Sequence, residues 1–101
     1  MIITIFRSRL RPEHRAEYER WETHIHGLAV KMPGFVSIKT FAADDGERVS
    51  LVEFESESAL QAWREHPEHR EAQALGRTRF YAEYHIQVCT PIRDYCYPKK
   101  A

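Results

Sequence analysis

The residues best suited to chemistry stand in one short run, Trp63-Arg64-Glu65-His66-Pro67-Glu68-His69. Two imidazoles three apart on a helix lie on one face. His66 and His69 could therefore look into one pocket, where a neutral imidazole serves as a base or a ligand. As a metal site the pair lacks a third ligand, so no metal is expected. Pro67 suits the first position of a helix, and His66 could equally cap that helix. Trp63 reads as a core residue of an amphipathic helix, or as a core residue whose ring also lines a pocket. Tyr84 alternates toward the helix side of its strand, opposite to Tyr81. Its hydroxyl there meets a bound molecule or finds a partner in the core. His24 and His26 are about 200° apart on a helix and cannot share a ligand; they and His14 read as solvated. Arg77 and Arg79 complement a helix C-terminus. Cys89 and Cys96 have no partner that would make either a nucleophile. No phosphate-cradling glycine loop, nucleotide fingerprint or Ser-His-Asp arrangement is present.

These residues need a frame to position them. Residues 2–10 are rich in Ile and Phe and predict a strand. Pro12 opens a helix in which Tyr18, Trp21, Ile25, Leu28 and Met32 recur at spacings of three and four. Pro33-Gly34 ends it. Residues 35–42 and 48–55 predict two strands joined at the turn signal Asp44-Asp45-Gly46. Ser56 or Ser58 caps a helix carrying Leu60 and Trp63, which breaks at His66-Pro67. A further helical segment runs to about Arg79, and residues 81–90 alternate as a last strand. The order β-α-β-β-α-β predicts an α+β ferredoxin-like sandwich, a four-stranded antiparallel sheet with its helices on one face.

Composition bounds the function. The chain has 101 residues, one domain's worth, with 15 Lys plus Arg balancing 15 Asp plus Glu. Zero net charge argues against nucleic acid or an anionic membrane as the partner. No apolar run approaches the roughly 18 residues of a membrane span. The opening residues do not resemble a secretory signal, and two cysteines form no disulfide framework. The expected setting is the reducing cytoplasm.

Alternation gives the sheet two faces. Ile2, Thr4, Phe6, Ser8, Val36, Ile38, Val52, Phe54, Tyr84, Ile86 and Val88 are expected beneath the helices. Ile3, Ile5, Phe35, Phe41, Val49 and Leu51 are expected on the other side, interspersed with Arg7, Arg9, Glu53 and Glu83. An exposed face this apolar is large for a monomer. A homodimer joined sheet to sheet is therefore expected, with Arg7 or Arg9 free to pair with Glu53 or Glu83.

The run from Trp63 through Arg77, with Phe80-Tyr81, Tyr84 to Val88, Met32-Pro33-Gly34-Phe35 and Phe54-Glu55-Ser56-Glu57, resembles the antibiotic biosynthesis monooxygenase domain family. The resemblance covers residues 1–95 and leaves 96–101 as an irregular tail. It implies a dimeric α/β barrel with a pocket between helices and sheet. The family includes cofactor-free oxygenases that make quinones from aromatic polyketides, heme-degrading oxygenases, and members without known activity. Where the quinone formers carry Asn-Tyr-x-x-Trp-Glu-Ser, this chain reads Ser50-Leu51-Val52-Glu53-Phe54-Glu55-Ser56, and Leu60 falls at a Tyr position. Against the heme degraders, Ser8 falls at an Asn position and Trp63 matches the Trp. The His position falls near Ala72 or Gln73, with His69 one turn earlier.

The resemblance thus implies a small monooxygenase for an aromatic or heme-like substrate. His69 and Trp63 would be catalytic, and Ser8, Phe54, His66, Gln73 and Tyr84 would bind substrate. Heme stays open as a cofactor, with His69 or His66 on the iron. The alternative is a non-catalytic small-molecule-binding or stress-related module of the same fold.

Overall fold

The computed structural model describes residues 1–99; Lys100 and Ala101, the end of the expected tail, lie outside the described residues. Strand β1 (Ile2–Leu10) leads through a 3-10 turn (Pro12–His14) into helix α1 (Arg15–Ala29). Strands β2 (Phe35–Ala42) and β3 (Arg48–Phe54) follow, then helices α2 (Glu57–Arg64) and α3 (Pro67–Leu75). A π-helical turn (Gly76–Phe80) delivers the chain to β4 (Tyr81–Cys89). All pairings are antiparallel and the strand order is β2-β3-β1-β4. This is the ferredoxin-like α+β arrangement that the order of elements predicts, with its second helical segment divided in two.

Local chemistry sets the boundaries. Ser56 caps α2 by accepting from the Ala59 amide at 3.1 Å, which satisfies one of the open donors of its first turn. His66 caps α3, its Nδ1 accepting from the Glu68 amide at 3.2 Å, and Pro67 follows at the first helical position. Gly34, after α1, has φ +82°, and a Cβ placed there would lie 2.6 Å from the Ala59 Cβ. Only glycine lets the α1–β2 turn press this closely on α2.

The core joins Ala29, Phe54, Leu60 and Trp63, with Ile2, Leu28, Phe35 and Val52 packed around them. It ties α1 and α2 to one face of the sheet. Two irregularities correct the expected faces. A register shift between Phe35 and Ser37 puts Phe35 beside Phe54 on the helix side, their rings 5.8 Å apart, and leaves Val36 exposed. A second shift between Arg9 and Leu10 pairs Leu10 with Tyr81, skipping Ala82. Tyr81 therefore shares the helix side with Tyr84, ring centroids 5.9 Å apart, instead of opposing it. One extra residue in a strand reverses the faces beyond it.

The other face carries Ile3, Ile5, Val49, Leu51 and Phe41 in facing pairs such as Ile5–Leu51 and Phe41–Val49. At one end of it Arg7 makes a two-pronged bond to Glu47 at 3.0 and 3.1 Å, while Lys39 and Glu53 lie farther along the same face. Arg9 bridges Asp45 at 2.9 Å and Glu83 at 3.0 Å. The Arg9–Glu83 pair is one of those expected, while Arg7 takes Glu47 across the hairpin.

Candidate functional site

Trp63, in the last turn of α2, is buried, and the chain turns at Glu65-His66 so that α3 returns His69 onto it. The two rings stack at 4.1 Å between centroids and 13° between planes. The His69 Nδ1 lies 3.1 Å from the Trp63 carbonyl. A carbonyl only accepts, so Nδ1 carries the proton and Nε2 is left as the acceptor. Burial lowers the His69 pKa, opposed by the bond to Trp63 and assisted by His66 and Arg64. His69 is thus held as a neutral imidazole with an assigned tautomer, which suits a proton acceptor. His66, whose ring lies 5.8 Å from Trp63, has the opposite tautomer in this geometry, because its Nδ1 accepts the Glu68 amide.

The seven expected site residues fall into two groups along the sheet. Phe54 stands opposite Ile2 and is fully buried beside Trp63, so it belongs with His66 and His69. Ser8 stands opposite Tyr84. Ile2 and Ser8 are six steps apart along β1, which separates the groups by about 20 Å. Gln73, half-buried, lies on α3 one turn beyond His69.

The Ser8 end holds more than the sequence signals. Phe6, Tyr18, Phe80, Tyr81 and Tyr84 form one aromatic cluster, linked ring to ring at 5.2–5.9 Å. The Tyr18 hydroxyl bonds Glu22, which accepts from Arg48 at 3.0 Å. The Arg48 guanidinium lies over the Tyr18 ring at 5.5 Å. Burial, with help from the Glu22 charge, pushes the Tyr18 hydroxyl well above its ordinary pKa; burial also raises that of Tyr81. Both phenols stay protonated, and Tyr18 donates its proton to Glu22. Tyr18 was legible as a helix-stripe residue, but its meeting with Tyr81 depends on the β-bulge. Arg48 and Glu22 come together over 26 residues, with no local spacing to announce it.

Between the two groups the helix layer leaves the sheet uncovered. On the helix side of β4, Tyr84, Ile86 and Val88 remain 42, 49 and 46 % exposed. No residue of α3 is fully buried, and His69 is half-buried. Beside this strip, on β1, the Thr4 hydroxyl is buried without a partner, between Val52 and Val88 in register. A depression of about 320 Å³ lies elsewhere, on the side of α1 bearing Glu17, Arg20, Trp21 and His24. There His24 bonds Glu68 at 2.8 Å, fastening α1 to α3.

These residues do not fit a heme. A macrocycle on His69 Nε2 would stand perpendicular to the imidazole, because the iron–nitrogen bond lies in the ring plane. Trp63 is parallel to that imidazole within 13° and could not lie against the macrocycle. His66 would have to give up its Nε2 proton or its cap on α3 to bind iron. Among the described residues, no three His, Cys, Asp or Glu side chains converge as a metal site, and no helix is long and apolar enough to cross a membrane.

Residues 1–75 match the family model described as antibiotic biosynthesis monooxygenase. The chain is 28 % identical over 81 residues to the uncharacterized Bacillus subtilis (strain 168) protein YqjZ, covering 80 % of this chain and 71 % of that one. Its fold is similar to that of Rv0793 from Mycobacterium tuberculosis, with a TM-score of 0.81 at 20 % identity over 92 % of this chain and 96 % of that one. It is also similar to a variant of SnoaB, a cofactor-independent oxygenase from Streptomyces nogalater, with a TM-score of 0.78 at 15 % identity over 92 % and 94 %.

Proposed function

The chain belongs to the antibiotic biosynthesis monooxygenase family, and from that premise we propose that it is a cofactor-free oxygenase of electron-rich phenolic ring systems. The observation that carries this reading is His69, neutral and fixed in tautomer against Trp63, with Nε2 left as an acceptor. In the proposed reaction His69 accepts the proton of a substrate hydroxyl. The phenolate then supplies the electrons that reduce oxygen. A phenol and O₂ balance to a quinone and water, so no outside reductant is needed. Trp63 acts as a positioning residue that sets the imidazole plane.

The uncovered strip of β4 is the proposed floor for an apolar ring. Ser8 and Tyr84 hold a polar group at its far end, while Phe54, His66 and Gln73 shape the His69 end. Because the two groups are about 20 Å apart, one molecule that meets both must be elongated, as several fused rings are. The same reading places two copies sheet to sheet through Ile3, Ile5, Val49, Leu51 and Phe41. It also assigns a reducing cytoplasm, in keeping with the free thiols of Cys89 and Cys96.

One observation favours the alternative of a binding module without catalysis: Phe54 and Trp63 are packed into the core and offer a ligand little surface. Oxygen uptake with a panel of dihydroxynaphthalenes and dihydroxyanthracenes separates the two. Uptake abolished by His69→Gln supports the oxygenase. Saturable binding without uptake supports the module.

A further inference from the structure

Three imidazoles fasten the first turn of α3, a nine-residue helix with no fully buried side chain that packs against α1 and α2. His66 caps it through Nδ1, which accepts from the Glu68 amide at 3.2 Å. His69 ties it to α2, lying flat on Trp63 and donating from Nδ1 to the Trp63 carbonyl at 3.1 Å. His24 reaches across from α1 to Glu68 at 2.8 Å. The far end of α3 is held differently. Gly76 is buried there, and a Cβ on it would lie 2.8 Å from the Tyr81 ring. That end is pinned by shape, while the first turn is held by groups that titrate.

We propose that α3 is a pH-gated wall of the cleft, latched at its first turn while His66 and His69 are neutral and released when they take up protons. Histidine is the side chain that changes charge between pH 5 and 8. Each latch needs an uncharged ring for its own reason. An Nδ1 that accepts an amide proton cannot carry one, so charging His66 ends the cap. A charged His69 faces burial against Trp63 and repulsion from His66 and Arg64. The carboxylates of the same turn are engaged elsewhere, Glu65 by Gln61 at 3.0 Å and Glu68 by His24. The end of the sheet beneath Trp63 presents Ile2 and Phe54. Latched α3 therefore binds fewer protons than released α3. It stays shut above about pH 6.5, the ordinary imidazole value, and opens as pH falls below it. His24 acts with the opposite sign, because its protonation strengthens the pair with Glu68. It keeps the released turn tethered to α1. The latch stands without any catalytic reading. Its consequence for catalysis rests on the function proposed above: release carries the His69 base off Trp63 and opens the strip at Tyr84, Ile86 and Val88 further to water.

The test is amide hydrogen exchange of the full chain, read by NMR as protection factors corrected for the intrinsic rate at each pH. Between pH 7.5 and 5.5 the amides of residues 70–75 should lose roughly tenfold or more in protection, the effect of one shifted pKa unit. Those of β1 should lose less. His66→Asn keeps a side-chain cap that does not titrate, leaves the stack on Trp63 intact, and should already lessen the loss. With His69→Gln added, the loss should shrink to roughly threefold or below. His24→Gln should deepen the loss at pH 5.5, where the tether acts. Protection of residues 70–75 that does not change with pH, a fall matched in β1, or an undiminished fall in His66→Asn overturns the inference. The readout does not involve activity, so its failure is distinct from failure of the oxygenase reading.

Discussion

His69 lies flat on Trp63 at 4.1 Å and bonds the carbonyl of that same residue at 3.1 Å. The imidazole is fixed twice by one residue, once through its face and once through its edge. Side chain and backbone of Trp63 therefore set both the plane and the tautomer of the proposed base. The break at His66-Pro67 makes this possible, because it turns α3 back across the end of α2.

This arrangement predicts a pH dependence. Burial lowers the His69 pKa below its ordinary value near 6.5. The rate should therefore fall on the acid side with an apparent pKa below 6.5, and no loss should occur between pH 7 and 8 from this group. Stability has the same sign. The unfolded chain binds the proton more readily than the folded one, so stability falls as pH drops below about 6.5. Chemical denaturation between pH 7 and 5 should show a shallower decline in His69→Gln than in the wild type.

Thr4 gives a prediction of opposite sign from most core substitutions. Its hydroxyl is buried without a partner, and an unsatisfied buried polar group costs about 1–3 kcal/mol. Thr4→Val keeps the shape and removes that cost. Thermal or urea unfolding should show a gain of roughly 1 kcal/mol. A loss would mean the hydroxyl has a partner in the free protein.

Much of the architecture was legible beforehand, and the exceptions have a common cause. The strand and helix order followed from Ile2 to Phe6, from the Tyr18–Met32 stripe and from the breaks at Pro33-Gly34 and His66-Pro67. Strict alternation puts Phe35 and Tyr81 on the wrong faces because each lies beyond a bulge. A bulge changes strand parity without leaving a mark in the alternation of residue types. The His66 cap was readable from Pro67. The Tyr18–Glu22–Arg48 chain was not, because Arg48 stands 26 residues from Glu22, beyond any local spacing.

Gly34 tests the close contact of the α1–β2 turn with α2. Gly34→Ala both strains a left-handed backbone and drives a methyl against Ala59. A destabilisation of roughly 1–3 kcal/mol is expected from the backbone alone, measured by urea unfolding. Gly27→Ala, in open space on α1, should not destabilise the protein and serves as the control.

Leu51 lies near the centre of the apolar open face, opposite Ile5 and Lys39. Leu51→Lys would place an unpaired charge at the centre of a sheet-to-sheet dimer. Light scattering at micromolar concentration should show a dimer for the wild type and a monomer for the variant. A wild-type monomer would remove the sheet-to-sheet dimer.

The central claim is that this chain reduces oxygen with electrons from its substrate and uses His69 as the base. Its most direct measurement is oxygen consumption with 1-naphthol and larger fused-ring phenols whose para position is free, without added metal or reductant, comparing the wild type with His69→Gln. The account predicts saturable, enzyme-dependent uptake with quinone formed, reduced at least a hundredfold in His69→Gln at pH 7, in line with the usual contribution of a general base. Uptake equal in both proteins would contradict the role of His69, and no enzyme-dependent uptake with any of these substrates would contradict the oxygenase itself.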